Sequence, residues 1–79
     1  MEAAVAFGLT LRKLRKEAGL TQEQLGFEAG LRRTYISILE LGQQQPTLTT
    51  ILKLAKPLRR SAGEIVALVE TDWVGSRRR

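Results

Sequence analysis

Four polar side chains that can hydrogen-bond to nucleic-acid bases are clustered between positions 33 and 37. Arginine can pair bidentately with O6 and N7 of guanine, and hydroxyl groups can bond to base edges or place a methyl group against thymine. On a helix that begins near position 33, residues three apart share a face, so Thr34 and Ser37 lie side by side. The candidates for base contact are Arg33, Thr34, Tyr35 and Ser37.

Each of these candidates has an alternative interpretation. Arg33 can contact a phosphate or lie in solvent, and Thr34 and Ser37 also fit a solvated helix face. The ring of Tyr35 can pack against the edge of a helical bundle instead of against bases. Arg33 is therefore the first candidate for a base contact, and both interpretations stay open for the other three.

A second set of polar residues is predicted to contact phosphates around this helix. Helix amino ends carry unpaired backbone N–H groups that bind anions, and Thr21 and Thr47 are typical helix-capping residues. Thr47 can equally serve only as a cap, and the glutamines at 43–45 can form a solvated loop. The candidates for phosphate contact are Gln22, Arg32, Gln43, Gln45, Thr47 and Thr49.

The composition narrows the function classes. The 79 residues include 13 Lys and Arg against 8 Asp and Glu, a formal charge of +5, with no cysteine and no histidine. Disulfides and thiolate metal sites are therefore excluded, and the commonest general base is absent. We expect no catalytic residues, no metal and no cofactor. The basic charge is typical of a phosphate-binding surface, although a basic protein without an anionic partner has the same composition.

The sequence also predicts a protein that neither spans nor binds a membrane. No apolar run approaches the roughly 20 residues that span a bilayer. The first residues, MEAAVAF, lack the basic region of a secretory signal. We therefore expect a cytoplasmic protein.

The apolar spacing predicts an all-α domain of five helices, at about 2–18, 21–30, 33–41, 47–56 and from 61 onward. Capping boxes are predicted for Thr21 with Gln24 and for Ser61 with Glu64. Gly30 is predicted to end the second helix, and Pro57 to end or kink the fourth at the preceding residue.

The predicted helix faces divide the side chains between core and surface. The inward stripe of the fourth helix is predicted to contain Leu48, Ile51, Leu52 and Ala55. The cations of the first helix, Arg12, Lys13, Arg15 and Lys16, are interpreted chiefly as a solvated face. Glu40 is interpreted as structural, bonded to a nearby cation or backbone donor.

The fifth helix has an unusually wide apolar stripe. Ile65 and Leu68 can serve the core, which leaves an apolar surface that suggests a dimer interface. The predicted interface residues are Val66, Val69 and Trp73. Trp73 can alternatively fold back on its own chain. We assign 1–72 to the domain, including this dimerisation element, and 73–79 to a frayed basic tail.

Several blocks of sequence, in order, carry a family resemblance. They are Leu11-Arg12, Leu14-Arg15, Gly19-Leu20-Thr21-Gln22-Glu23, Ala29-Gly30-Leu31, Arg33-Thr34-Tyr35-Ile36-Ser37, Glu40, Pro46-Thr47-Leu48 and Leu52-Lys53-Leu54-Ala55. In this the chain resembles the Cro/phage-repressor-type helix-turn-helix family. The block at 33–37 and the small size are also similar to restriction-modification controller proteins.

The resemblance implies a lambda-repressor-like DNA-binding domain with the helix-turn-helix at helices 2 and 3. It also implies a homodimer on a roughly palindromic operator. Arg32 stands where a capping serine or aspartate is usual, so the third helix is expected to lack a side-chain cap that a phosphate could replace. Gly26 stands where alanine is usual.

These observations predict a sequence-specific transcription regulator whose partners are double-stranded DNA and a second copy of itself. No small-molecule ligand is expected. The alternative is an antitoxin-like or adaptor module, in which the same bundle binds another protein.

Overall fold

The computed structural model describes residues 1–77, and this part of the chain contains five α-helices. They are α1 (Ala3–Glu17), α2 (Gln22–Ala29), α3 (Arg33–Glu40), α4 (Leu48–Leu58) and α5 (Ala62–Arg77). α1 packs against α3 and α5, α2 packs against α3 and α4, and α4 packs against α5. The predicted all-α five-helix fold is confirmed. Within residues 1–77, each helix is too short or too polar to cross a membrane.

The core lies where the apolar stripes of all five helices meet. Its fully buried large side chains are Leu11, Leu25, Ile36, Leu39, Leu54 and Ile65. Burying a side chain of this size contributes about 1.5–3 kcal/mol relative to leaving it exposed. α3 supplies two of these residues and so has one face fixed in the core, while its other face remains available.

Both predicted capping boxes are present. Thr21 Oγ1 accepts from the backbone N–H of Gln24 at 3.0 Å, and the Thr21 N–H donates to Gln24 Oε1 at 2.8 Å. Ser61 and Glu64 repeat this arrangement at 3.0 and 2.8 Å. The hydrogen bond from the Ser61 backbone N–H lowers the pKa of Glu64. The amino ends of α2 and α5 are therefore specified by local sequence alone.

The predicted inward face of α4 is half right, because Ile51 and Ala55 pack against the core whereas Leu48 and Leu52 face solvent. Leu48 and Leu52 are 70% and 57% exposed, and the buried residues are Thr50, Leu54 and Leu58. Both sets have the four-residue spacing of a helix face, so the apolar pattern did not determine which one faces α2 and α5. The hydroxyl of the buried Thr50 accepts from Thr47 Oγ1 at 3.0 Å, which allows a polar residue to take a core position.

The predicted carboxyl ends of α4 and α5 also differ from those in the structure. α4 continues past Lys56 through Pro57, because Leu58 is buried and Arg59 ends the helix in a left-handed conformation with φ 60°. α5 continues to Arg77, beyond the predicted start of the tail at position 73. The last two residues of the predicted tail, 78–79, lie outside the described residues.

Candidate nucleic-acid interface

The turn between α2 and α3 fixes the direction in which α3 leaves the core. Gly30 has a φ of 71°, a left-handed conformation that glycine adopts without a steric penalty. The next N–H, of Leu31, donates to the carbonyl oxygen of Gly26 at 2.7 Å. A Cβ at Gly26 would lie 2.6 Å from the carbonyl oxygen of Leu31. The predicted turn at Gly30 is confirmed, and Gly26 provides the space for the turn's backbone.

The amino end of α3 is exposed and has no side-chain cap. Arg32 occupies the N-cap position in an extended conformation, and its side chain makes no capping hydrogen bond. Arg32, Arg33 and Thr34 are exposed, and the first turn contains no acidic residue. The unpaired N–H groups and the positive end of the helix dipole therefore face solvent beside two arginines. The expected absence of a cap is confirmed.

The amino ends of α2 and α3 border one open cleft. Arg33 lines this cleft together with Thr21, Gln22 and Glu23, which begin α2. The predicted base contact and the predicted phosphate contact are thus brought to the same surface. Gln22 is half-buried there, whereas Arg33 is exposed.

The other two predicted base contacts are less accessible. Tyr35 is half-buried, and its hydroxyl lies 3.3 Å from Thr50 Oγ1 on α4. Its ring packs against the core cluster, which favours the structural interpretation of this residue. Ser37 and Ile38 are half-buried, and Leu41 beyond the helix is 66% exposed. The freely accessible polar surface of α3 is therefore concentrated in its first turn.

The carboxyl end of α3 is held by a buried ion pair. Glu40 accepts from Arg15 Nε at 2.6 Å and from Arg15 Nη2 at 3.0 Å. The Arg15 and Glu40 side chains are only 11% and 5% exposed. The hydrogen bond to Glu40 raises the pKa of Arg15 above its ordinary value. The structural interpretation of Glu40 is confirmed, whereas the solvated interpretation of Arg15 is wrong because this side chain is buried in the ion pair.

The same carboxylate also holds a predicted phosphate contact. Gln22 Nε2 donates to Glu40 Oε1 at 3.1 Å, and Arg15 Nη1 donates to the carbonyl oxygen of Leu20 at 2.9 Å. One cluster therefore joins α1, the start of α2 and the end of α3. Sequence reasoning predicted a cation or backbone donor for Glu40 but did not identify Arg15 and Gln22 as its partners, although Arg15 follows the buried Leu11 at helical spacing and Glu40 is the only acid on α3.

A second exposed polar surface precedes α4. Gln43, Gln45 and Thr49 are exposed. Thr47 Oγ1 accepts from the backbone N–H of Thr50 at 3.1 Å, so its hydroxyl acts as the helix cap. The first turn of α4 has no acidic residue. A phosphate here would meet backbone N–H groups and the side chains of the loop more directly than the hydroxyl of Thr47.

The predicted interface residues on α5 have different environments. Val66 is 46% exposed, Val69 is half-buried against the core, and Trp73 is half-buried. Ile65 is buried as predicted, but Leu68 is 38% exposed and is not a core residue. The exposed apolar surface in the described part of α5 therefore includes Leu68 as well as Val66, whereas Val69 partly serves the core.

Comparison with known proteins identifies the family to which the chain belongs. The sequence model of the helix-turn-helix family HTH_3 matches residues 11–65, which include all of α2, α3 and α4. The chain belongs to the helix-turn-helix family. Its helix-turn-helix motif is the pair α2 and α3.

Several helix-turn-helix relatives share most of their length with this chain. An HTH-type transcriptional regulator of Sinorhizobium fredii, y4dJ, is 35% identical over 77 residues, covering 98% of this chain and all of that protein. The control protein C.BamHI of Bacillus amyloliquefaciens is 42% identical over 53 residues, covering 66% of this chain and 65% of that protein. The restriction-modification controller C.AhdI from Aeromonas hydrophila, of which there is a crystal structure, is 45% identical in sequence to this chain. That structure superposes on this one with a TM-score of 0.75, and the match covers 78% of this chain and 94% of C.AhdI.

Membership of this family settles the coarse function. Proteins of the family are DNA-binding transcription regulators without enzymatic activity, so this helix-turn-helix protein is a DNA-binding regulator and not an enzyme. The family resemblance and the prediction that the chain is not an enzyme are confirmed. The net charge of +5 suits the phosphate backbone of DNA.

Proposed function

We propose that the protein binds a roughly palindromic operator as a homodimer, with the first turn of α3 in the major groove. The observation that carries this proposal is the exposed, uncapped amino end of α3, where Arg33 borders the same cleft as Gln22 and Thr34 is exposed next to Arg33. Side chains at the start of a recognition helix are the ones that reach base edges in this type of motif.

Within this proposal, the side chains of α3 differ in what they contact. Arg33 pairs with a guanine, and Thr34 and Ser37 contact base edges. Tyr35 makes at most an edge contact, because its hydroxyl is directed toward Thr50.

Phosphates flank the reading face on both sides. The contacts come from Gln22 and Arg32 on one side and from Gln43, Gln45, Thr47 and Thr49 on the other, with Thr47 acting through the backbone of the helix that it caps. Such contacts set the register of the protein on the duplex and are independent of sequence.

The homodimer places two copies of α3 on half-sites about 34 Å apart. The proposed contact surface is the apolar stripe of α5 at Val66, Val69 and Trp73. Two leucines of α4, Leu48 and Leu52, are also exposed. Sedimentation should give a dimer at tens of micromolar, and a monomer at that concentration would contradict this part of the proposal.

The DNA-binding proposal is tested with duplexes of about 20–30 base pairs from the region upstream of the protein's own gene, compared with random duplexes. Specific binding should weaken steeply with salt, with a log–log slope of about −0.9 for each phosphate neutralised. Equal binding to upstream and random DNA at low salt would contradict a sequence-specific regulator.

The role of Arg33 is tested separately with Arg33→Ala. We expect a loss of about 1–3 kcal/mol on the operator and relaxed preference at one base pair of each half-site. Lys56→Ala is the charge-matched control, because Lys56 is exposed in the last turn of α4, away from its amino end. A loss of equal size on all sequences would make Arg33 a phosphate contact.

The similarity to C.BamHI and C.AhdI favours a more specific form of the proposal, in which the protein controls a restriction-modification system. Genes for a methyltransferase and a nuclease beside its own gene would support this form. A prophage setting would favour a repressor instead.

A further inference from the structure

The carboxylate of Glu40 links the buried Arg15 of α1 to Gln22 at the amino end of α2. Glu40 Oε1 accepts from Arg15 Nη2 at 3.0 Å and from Gln22 Nε2 at 3.1 Å, while Glu40 Oε2 accepts from Arg15 Nε at 2.6 Å. No buried side-chain nitrogen or oxygen in the described residues lacks a hydrogen-bond partner. The carboxylate is therefore fully engaged and has a fixed orientation.

We propose that Glu40 is a positioning residue, which holds the side chain of Gln22 ready for a DNA phosphate. A glutamine amide nitrogen has two hydrogens, and one of them is donated to Glu40. The second hydrogen remains for a ligand in the cleft that Gln22 shares with Arg33. The backbone N–H of Gln22, in the first position of α2, also lacks a partner within the helix. The side-chain amide and the backbone N–H of Gln22 can thus both donate to the same phosphate.

This arrangement matters because an unrestrained glutamine loses conformational freedom when it binds. Gln is among the side chains with the largest entropy loss on ordering. A hydrogen bond that already selects one conformation in the free protein removes that cost from the binding step. We expect the contribution of Glu40 to operator affinity to be about tenfold.

The charge of Glu40 would by itself repel a phosphate, and Arg15 cancels it. The guanidinium makes two hydrogen bonds to the carboxylate, and both side chains are nearly excluded from solvent. Arg15 also donates to the carbonyl oxygen of Leu20, the residue before the N-cap of α2. The pair therefore holds both the backbone and the first side chain of α2 without presenting a net negative charge.

A double-mutant cycle on DNA affinity separates positioning from general structural support. The variants are Gln22→Ala, Glu40→Ala and the combination, each measured on the operator at low temperature and corrected for its folded fraction from circular dichroism. If Glu40 acts through Gln22, Glu40→Ala lowers affinity about tenfold in the presence of Gln22 and at most about twofold in its absence. Equal losses in both backgrounds would overturn the proposal.

A second measurement uses the wild-type protein and does not depend on the folding of a variant. The side-chain amide protons of Gln22 should exchange with solvent more slowly than those of Gln43 and Gln45, which are exposed in the loop before α4. Exchange as fast as in that loop would overturn the proposal.

The inference rests on the proposed DNA binding, and the two failures are distinguishable. If the wild type binds no duplex specifically, the proposed function fails. If it binds specifically but the cycle is additive, only the positioning role of Glu40 fails.

Discussion

The two ends of α3 differ in burial, charge and hydrogen bonding. At the carboxyl end, Leu39 is fully buried and Glu40 is bound by donors from α1 and α2. At the amino end, Arg32 and Arg33 are exposed, and no side chain caps the helix. One short helix thus has an end that is fixed by contacts within the protein and an end that is exposed to solvent.

This difference shows how an eight-residue helix can present polar groups in a defined position. A helix of this length has little stability of its own, so its orientation must come from tertiary contacts. The buried ion pair and the core leucine supply those contacts at one end. Since binding groups must be held within a fraction of an ångström, a rigid carboxyl end allows the amino end to stay exposed and still be precise.

The largest effect on this comparison should come from Glu40→Ala. Removal of the carboxylate leaves the buried Arg15 unpaired, and breaking a buried pair in this way costs about 3–5 kcal/mol. Urea denaturation measures the loss.

The control for this substitution is Glu17→Ala. Glu17 and Arg60 form a pair of the same chemistry, but their side chains are 48% and 39% exposed and 3.3 Å apart. Such surface pairs contribute about 0–1 kcal/mol. Similar losses for the two variants would show that the carboxyl end of α3 is not fixed by its ion pair.

The next effect in size should come from the two glycines that approach the ends of α3. A Cβ at Gly8 would clash with the carbonyl oxygen of Leu39 and would lie 2.7 Å from that of Glu40. Overpacking against backbone typically costs about 1–3 kcal/mol, so Gly8→Ala should destabilise the protein despite the better helix propensity of alanine. Thermal unfolding measures this loss, and Gly63→Ala, where the nearest other atom is 3.8 Å away, is the control.

Gly26→Ala should cost less than Gly8→Ala. Only one atom, the carbonyl oxygen of Leu31, would lie within 3 Å of the new Cβ at Gly26, against three backbone atoms at Gly8. The turn at the free amino end can also shift more easily than the crossing of α1 and α3. A larger loss for Gly26→Ala would place the rigid end of α3 at its amino terminus instead.

The features that the sequence predicted correctly are those with local causes. The caps at Thr21 and Ser61 and the left-handed Gly30 depend only on residues within one turn. The apolar spacing was sufficient for five helices, because each has a run of core positions such as Leu11 and Leu25. The exposed arginines at the start of α3 follow from the same periodicity.

The features that the sequence did not predict depend on which elements meet. On α4, Ile51 and Ala55 were assigned correctly to the inward face, but Leu48 and Leu52 were not. Apolar spacing alone could not identify the polar Thr50, whose hydroxyl lies 3.3 Å from that of Tyr35, as a buried residue. In the site, the sequence pattern placed Arg15 on a solvated face of α1, because its burial depends on the contact with Glu40 of α3.

The smallest effect should come from Arg32→Ser, at the open end of α3. Arg32 already has the extended backbone of an N-cap, so a serine hydroxyl there can accept a backbone N–H and stabilise the protein by about 0.5–1 kcal/mol. The same hydroxyl occupies donors that a phosphate would otherwise use. DNA affinity should therefore fall on all sequences alike, and the salt slope should decrease by about one unit.

Arg32→Ala separates the two consequences of that substitution. It removes the same charge without adding a cap, so it should lower the salt slope by a similar amount, lower DNA affinity less than Arg32→Ser does, and give no gain in stability. If Arg32→Ser and Arg32→Ala have the same melting temperature, the amino end of α3 does not need a cap even in the free protein. If their losses of affinity depend on the base sequence, Arg32 reads bases, and the reading surface extends one residue before the helix.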